Sequence, residues 1–132
     1  MSFTIKFQMK EVIPKMINLA VVGAGYWGTK LIGEYLALSR KRRDVRLLAV
    51  ADLSPERLLR VSKNFSLPNS MLKKDYNKIL TDPKITGVHV ATPNETHYEI
   101  ATKAIAAGKR SRISISFKWI SILPFRLARY AE

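Results

Sequence analysis

Residues Ile17 to Gly28, I-N-L-A-V-V-G-A-G-Y-W-G, constrain the fold more than any other stretch. Ile17, Leu19, Ala20, Val21 and Val22 form an apolar run that is too short for a helix and ends at glycine. That is the pattern of a parallel strand buried on both faces. Gly23-Ala24-Gly25-Tyr26-Trp27-Gly28 then fits G-x-G-x-x-G without a gap. In such a turn the first glycine takes the chain sharply out of the strand. The second lets a pyrophosphate approach the backbone, and the third lets the following helix pack close. The N–H groups that open that helix have no partners within it and carry partial positive charge, which suits a diphosphate.

On its own the motif says little, because glycine-rich turns also serve purely conformational ends. Its context is more specific. Val45 to Ala51 (V-R-L-L-A-V-A) reads as a second buried strand, and Asp52 closes it at roughly the spacing of a ribose-binding acid. Nucleotide binding is the reading this arrangement favours, with a structural glycine turn as its alternative.

The intervening and following segments keep the same rhythm. From Trp27 to about Ser39, Leu31, Ile32, Tyr35, Leu36 and Leu38 recur at three- and four-residue spacing, which predicts a helix with one buried stripe. Ser54-Pro55-Glu56 is a helix start, with a capping hydroxyl, a proline in the first turn and an acid at the positive pole. Ser70-Met71-Leu72 predicts a very short third strand and Asp75 to Leu80 a short helix. Thr86 to Ala91 predicts another buried strand, with His89 a packed, hydrogen-bonded histidine. The loop Thr92-Pro93-Asn94-Glu95-Thr96-His97 then falls at that strand's carboxyl end, on the same rim as the glycine turn. Glu95 to Ala107 predicts a helix ended by Gly108. Strand and helix alternating in this way predict an α/β, Rossmann-type three-layer fold with a mostly parallel sheet.

The absence of cysteine removes disulfides and thiolate metal sites, and no metal site is expected. No apolar run approaches a membrane span, and Met1 to Lys6 lacks the apolar core of a secretory signal, so the expectation is cytoplasmic with no membrane partner. A net charge of +13 attracts polyanions in general without specifying one. Much of it sits in Arg40-Lys41-Arg42-Arg43, with Arg46 beyond. Cations there suit the negative pole of the preceding helix, and the turn is expected at the end of the sheet opposite the ligand crevice. Residues 1–16 precede the first strand. Ser2 to Gln8 alternates like an edge strand, disorder being the alternative, and Met16 leaves open a leader from an early start codon.

With the glycine turn, Asp52 and the loop to His97 placed, the chain resembles the nucleotide-binding half of the glucose–fructose oxidoreductase/inositol dehydrogenase/MocA family. The matching stretches are I-N-L-A-V-V-G-A-G-Y-W-G, L-A-V-A-D, V-H-V-A-T-P-N-E-T-H-Y-E-I-A and A-A-G-K, from about Ile17 to Lys109. The resemblance implies NAD binding, with NADP as the alternative. Gly23, Gly25 and Gly28 would surround the pyrophosphate with Tyr26 and Trp27 between them, and Asp52 would hold the adenine ribose. Thr92, Pro93, Asn94 and His97 would lie near the nicotinamide half. His97 is the one family-motif histidine on that rim and thus a weak candidate for proton transfer. A carboxylate at Asp52 favours NAD by repelling a 2′-phosphate, although Arg57 one turn into the next helix could offset it. The G-Y-W-G form looks like members that oxidise sugars or nucleotide sugars.

The resemblance stops after Lys109. Family members continue with a strand ending in Glu-Lys-Pro, whose lysine is catalytic, and then a substrate domain. This chain instead alternates apolar residues (Ile113, Ile115, Phe117, Trp119) with polar ones. The expectation is three regions: the extension 1–16, an NAD(P)-binding domain 17–109 and an atypical tail 110–132. That tail predicts a half-exposed edge strand or a homodimer contact. A shifted reading frame or truncation would account for it, leaving a cofactor-binding domain without turnover of its own. Two other functions stand beside this one: a basic nucleic-acid-binding module, and a cofactor subunit completed by a separate substrate-domain chain.

Overall fold

The computed structural model describes residues 16–115 and 118–122. Strands β1 (Ile17–Val22), β2 (Val45–Ala51), β3 (Leu72–Lys73), β4 (Gly87–Val90), β5 (Arg110–Ile115) and β6 (Lys118–Ile122) form one sheet in the order β3-β2-β1-β4-β5-β6. All pairings are parallel except β5 with β6. The strand order reverses between β1 and β4, the switch point where ligands of open α/β sheets bind beyond the carboxyl ends. Helices α1 (Tyr26–Lys41), α2 (Pro55–Phe65), α3 (Asn77–Leu80) and α4 (Asn94–Ala106) connect the parallel strands.

Neighbouring residues of β1 enter opposite cores, as a doubly covered strand requires. Val21 joins Ala24, Ile32, Val50, Leu58 and Val61 beneath α1 and α2. Ala20 and Val22 join Ile79, Val88, Val90, Ile100 and Ala104 beneath α3 and α4. These two clusters make the expected three layers. His89 is packed as predicted, 1% exposed, with Nδ1 2.6 Å from the Tyr35 hydroxyl on α1.

Helix ends follow local chemistry. The Ser54 hydroxyl accepts from Arg57 N–H at 3.3 Å at the start of α2, with Pro55 and Glu56 in its first turn. At the other end Ser66 takes φ 54°, and beyond α4 Gly108 takes φ 79°. A 3₁₀ turn at Asn69–Met71 occupies part of the expected third strand, which shrinks to Leu72–Lys73.

The tail differs from the single alternating strand expected across 112–119. Arg110–Ile115 completes the parallel sheet beside β4, and Lys118–Ile122 folds back on it antiparallel, with Ile115 opposite Lys118. The register sets Ile115 opposite Lys118 and Ser114 opposite Trp119, so the alternation expected across 112–119 changes phase at the reversal, which spacing along the sequence could not show. The expected N-terminal edge strand and the residues beyond 122 lie outside the described residues. Among those described, no helix is long and apolar enough to cross a membrane.

Candidate cofactor site

β1 leads directly into the glycine turn. Gly23 sits at φ +107°, its N–H donating to Ala51 O at 2.7 Å, and a Cβ there would lie 2.6 Å from Ala91 O. The turn is therefore wedged between the ends of β2 and β4, where only glycine fits. Gly28 has the opposite constraint: a Cβ on it would come within 1.8 Å of Gly23 O, so α1 lies directly against the turn. Gly25 differs from both. Nothing lies within 4 Å of where its Cβ would be, although it forms the N-cap of α1. Its backbone is bare because the space beside it is open, not because the protein fills that space.

The start of α1 also carries no acid of its own. Its first turn holds no acidic residue and its cap no side-chain hydrogen bond, whereas Glu56 and Glu95 stand in the first turns of α2 and α4. Thr29 N–H bonds Gly25 O at 2.9 Å, so the amides ahead of it open the helix without a partner one turn back. Bare backbone, an open space and helix-opening N–H groups without a side-chain cap together suit an anionic diphosphate.

Asp52 closes the other side. Its side chain is 7% exposed and both oxygens are engaged. Oδ2 accepts from Ala24 N–H at 2.7 Å and Oδ1 from Ser54 N–H at 2.8 Å. The acid thus ties the glycine turn to the end of β2, fixing the two motifs relative to each other. Arg57 approaches Oδ2 at 3.8 Å from the first turn of α2.

A crevice of about 790 Å³ runs over these groups, a size typical of small-molecule sites. Of the residues expected at a site, Gly23, Gly25, Tyr26, Trp27, Asp52, Thr92 and Pro93 line it. Tyr26 and Trp27 meet edge to face at 5.3 Å, and the Lys30 ammonium lies over both rings. Gly28 stays behind the turn, holding it from below. Asn94 begins α4, next in the chain after Pro93.

His97 does not line the crevice. It is 4% exposed, with Nε2 bonded to the carbonyl of Thr92, and its Nδ1 has no partner among the described residues. The first turn of α4 carries the ring inward beneath the loop. Thr96 OH bonds Thr92 Oγ1 at 2.7 Å and Pro93 O at 2.8 Å, closing the same loop from outside. The weak candidate for proton transfer is therefore a support of the loop rather than a group facing the crevice.

Lys74, Tyr76, Thr96, Glu99 and Ile100 line the crevice without having been singled out from the sequence. Thr96, Glu99 and Ile100 follow i, i+3, i+4 along α4, a spacing that marks one helix face. Lys74 and Tyr76 carry no such signal. They reach the crevice because Asp52 N–H bonds Lys73 O at 3.0 Å, which brings the segment after β3 alongside. Lys103 bonds the Tyr76 hydroxyl and Glu99, and these contacts, Tyr76 first, raise its pKa above the ordinary lysine value.

The basic turn lies at the other end of the sheet, where Ile17 N–H bonds Asp44 O at 2.7 Å. Arg42 grips Asp44 with two hydrogen bonds, at 3.0 and 2.6 Å, and holds its carboxyl below the usual range.

The sheet order, glycine cradle and strand-end acid define a Rossmann domain of the nucleotide-binding class. Residues 17–113 match the family described as oxidoreductase family, NAD-binding Rossmann fold (GFO_IDH_MocA). The chain belongs to that family and carries its NAD-binding Rossmann domain. Levoglucosan dehydrogenase of Pseudarthrobacter phenanthrenivorans is 33% identical over 97 residues, 70% of this chain and 24% of that protein. An inositol 2-dehydrogenase/D-chiro-inositol 3-dehydrogenase of Lactiplantibacillus plantarum is 29% identical over 92 residues, 70% of this chain and 25% of its own length. Among solved structures, GenD2 from gentamicin A biosynthesis in complex with NAD superposes with a TM-score of 0.64 at 27% identity, covering 76% of this chain and 27% of that one. Levoglucosan dehydrogenase in complex with NADH gives 0.63 at 29% identity, covering 74% and 27%. The chain spans about a quarter of the length of these relatives.

Proposed function

We propose that this chain binds NAD in the crevice at the carboxyl ends of β1, β2 and β4. In this reading it is the cofactor-holding part of a dehydrogenase acting on sugars or nucleotide sugars. The observation that carries this is Gly25, bare and facing open space at the start of α1, with Asp52 pinned beside it. Gly23 and Gly28 shape that cradle, while Tyr26 and Trp27 flank it. Asp52 faces the adenine ribose. Thr92, Pro93 and Asn94 border the nicotinamide half, and His97 serves them from below through the Thr92 carbonyl.

Bound NAD supplies the hydride acceptor; the chain's own residues hold and orient it. Hydride transfer also needs a substrate carbon held against the nicotinamide and a group to take the hydroxyl proton. Those parts are assigned to a substrate-holding domain, on the same polypeptide or on another chain. A cytoplasmic setting belongs to this reading, and so does a second copy of the chain as a partner at the β6 edge. The Asp52 carboxylate disfavours a 2′-phosphate, so NAD is preferred over NADP.

Titrating the folded chain with NADH tests the reading. Saturable enhancement of NADH fluorescence is expected, with Kd on the order of 10–100 μM. A flat titration with folded protein overturns it. Asp52→Asn should weaken NADH binding and raise the affinity for NADPH relative to NADH.

A further inference from the structure

The crevice continues past Asp52. Backbone pairing of Asp52 with Lys73 brings the segment after β3 alongside that carboxylate, and Leu53, Tyr76 and Glu99 line this part of the crevice. Leu53 is 85% exposed, an apolar surface that a flat ring would take out of water. Tyr76 and Glu99 are held in place. Lys103 donates to the Tyr76 hydroxyl and to Glu99 Oε1, each at 3.0 Å, and lies 5.6 Å from the centre of the Tyr76 ring. Glu99 and Lys103 stand one turn apart on α4, acid first, the favourable order for such a pair. Oε1 is thus fixed from behind, and no hydrogen bond from a described residue reaches Oε2.

A carboxylate only accepts hydrogen bonds. A purine with a 6-amino group offers it a donor at that position, whereas a 6-oxo purine presents an acceptor there and moves its ring donor to N1. We propose that Glu99, positioned by Lys103 and Tyr76, selects the adenine base of the dinucleotide through its 6-amino group, with Leu53 covering a ring face. The inference rests on the cofactor reading above and adds base discrimination to it. Because Glu99 is 61% exposed, water weakens the effect, and a preference of about fivefold to tenfold is expected.

The test compares NADH with reduced nicotinamide hypoxanthine dinucleotide, which carries oxygen in place of the 6-amino group and a proton on N1. Fluorescence titration of the full chain should show the hypoxanthine form binding about fivefold to tenfold more weakly. Glu99→Gln, whose amide donates as well as accepts, should bring the two within about twofold. Lys103→Met, which releases Glu99 from its anchor, should give an intermediate ratio. Equal affinities in the unsubstituted chain overturn the proposal while leaving NAD binding intact. An unchanged ratio in Glu99→Gln does the same, and marks the Glu99–Lys103 contact as an ordinary surface pair. No response to either dinucleotide from folded protein removes both readings together.

Discussion

The two ends of the sheet carry similar chemistry put to different ends. At the amino ends polar groups are spent on one another. Arg42 grips Asp44, Asn18 bonds Thr86 and Lys84, and the buried Lys109 donates to the carbonyls of Asp82 and Ile85 at 2.6 and 2.5 Å. At the carboxyl ends the glycine turn keeps one face of its backbone clear and α1 begins without an acid. An end whose donors already have partners holds a fold together. An end that keeps some in reserve has capacity for a ligand. The concentration of charge in Arg40 to Arg46 is therefore a poor guide to the site, and the nearly uncharged glycine turn a good one.

Substitutions at each end should separate these roles. The largest effect is expected at Gly28. An alanine Cβ there would meet Gly23 O at 1.8 Å, backbone against backbone, so Gly28→Ala should cost more than about 3 kcal/mol in denaturant unfolding. Lys109→Met comes next. It strands two carbonyls beneath the sheet and should lower stability by about 2 kcal/mol, while NADH affinity in what remains folded is unchanged. Loss of affinity without loss of stability would show that the amino end does reach the site.

Gly25→Ala should do the reverse of Lys109→Met. Its Cβ meets no protein atom, so stability should move by less than about 0.5 kcal/mol. In the proposed NAD-binding reading the methyl group would meet the diphosphate instead, and NADH affinity should fall at least about tenfold, or about 1.4 kcal/mol. Unaltered NADH affinity in a well-folded Gly25→Ala protein would be the sharpest blow to the comparison. The smallest effect is expected for Arg42→Ala, an exposed residue paired with an exposed partner. It should leave both the unfolding midpoint and NADH affinity in place, because such pairs add little to stability.

Local rules made some of this visible in advance. Apolar runs ending at glycine or acid located β1 and β2, three- and four-residue spacing located α1, and Ser54-Pro55-Glu56 located the start of α2. In each case the signal lies within one element. The hairpin of β5 and β6 was not visible, because spacing along the sequence does not mark where a chain reverses, and the pairing of Ser114 with Trp119 shifts the alternation by one residue there. His97 was misplaced for a related reason. Its position in the loop put it on the correct rim, but whether a ring at the first turn of a helix faces out or in depends on what packs below it.

The order of residues alone determined where a diphosphate could approach the main chain, because a tight turn, a bare approach and a close helix each require glycine at a set spacing. It also determined the acid that ends β2. Only the assembled sheet decided what surrounds that acid. Lys74 and Tyr76 come from the segment after β3 and Glu99 from α4, brought together by strand pairing and helix packing. Contacts between distant segments depend on the whole core, and no short run of residues encodes them.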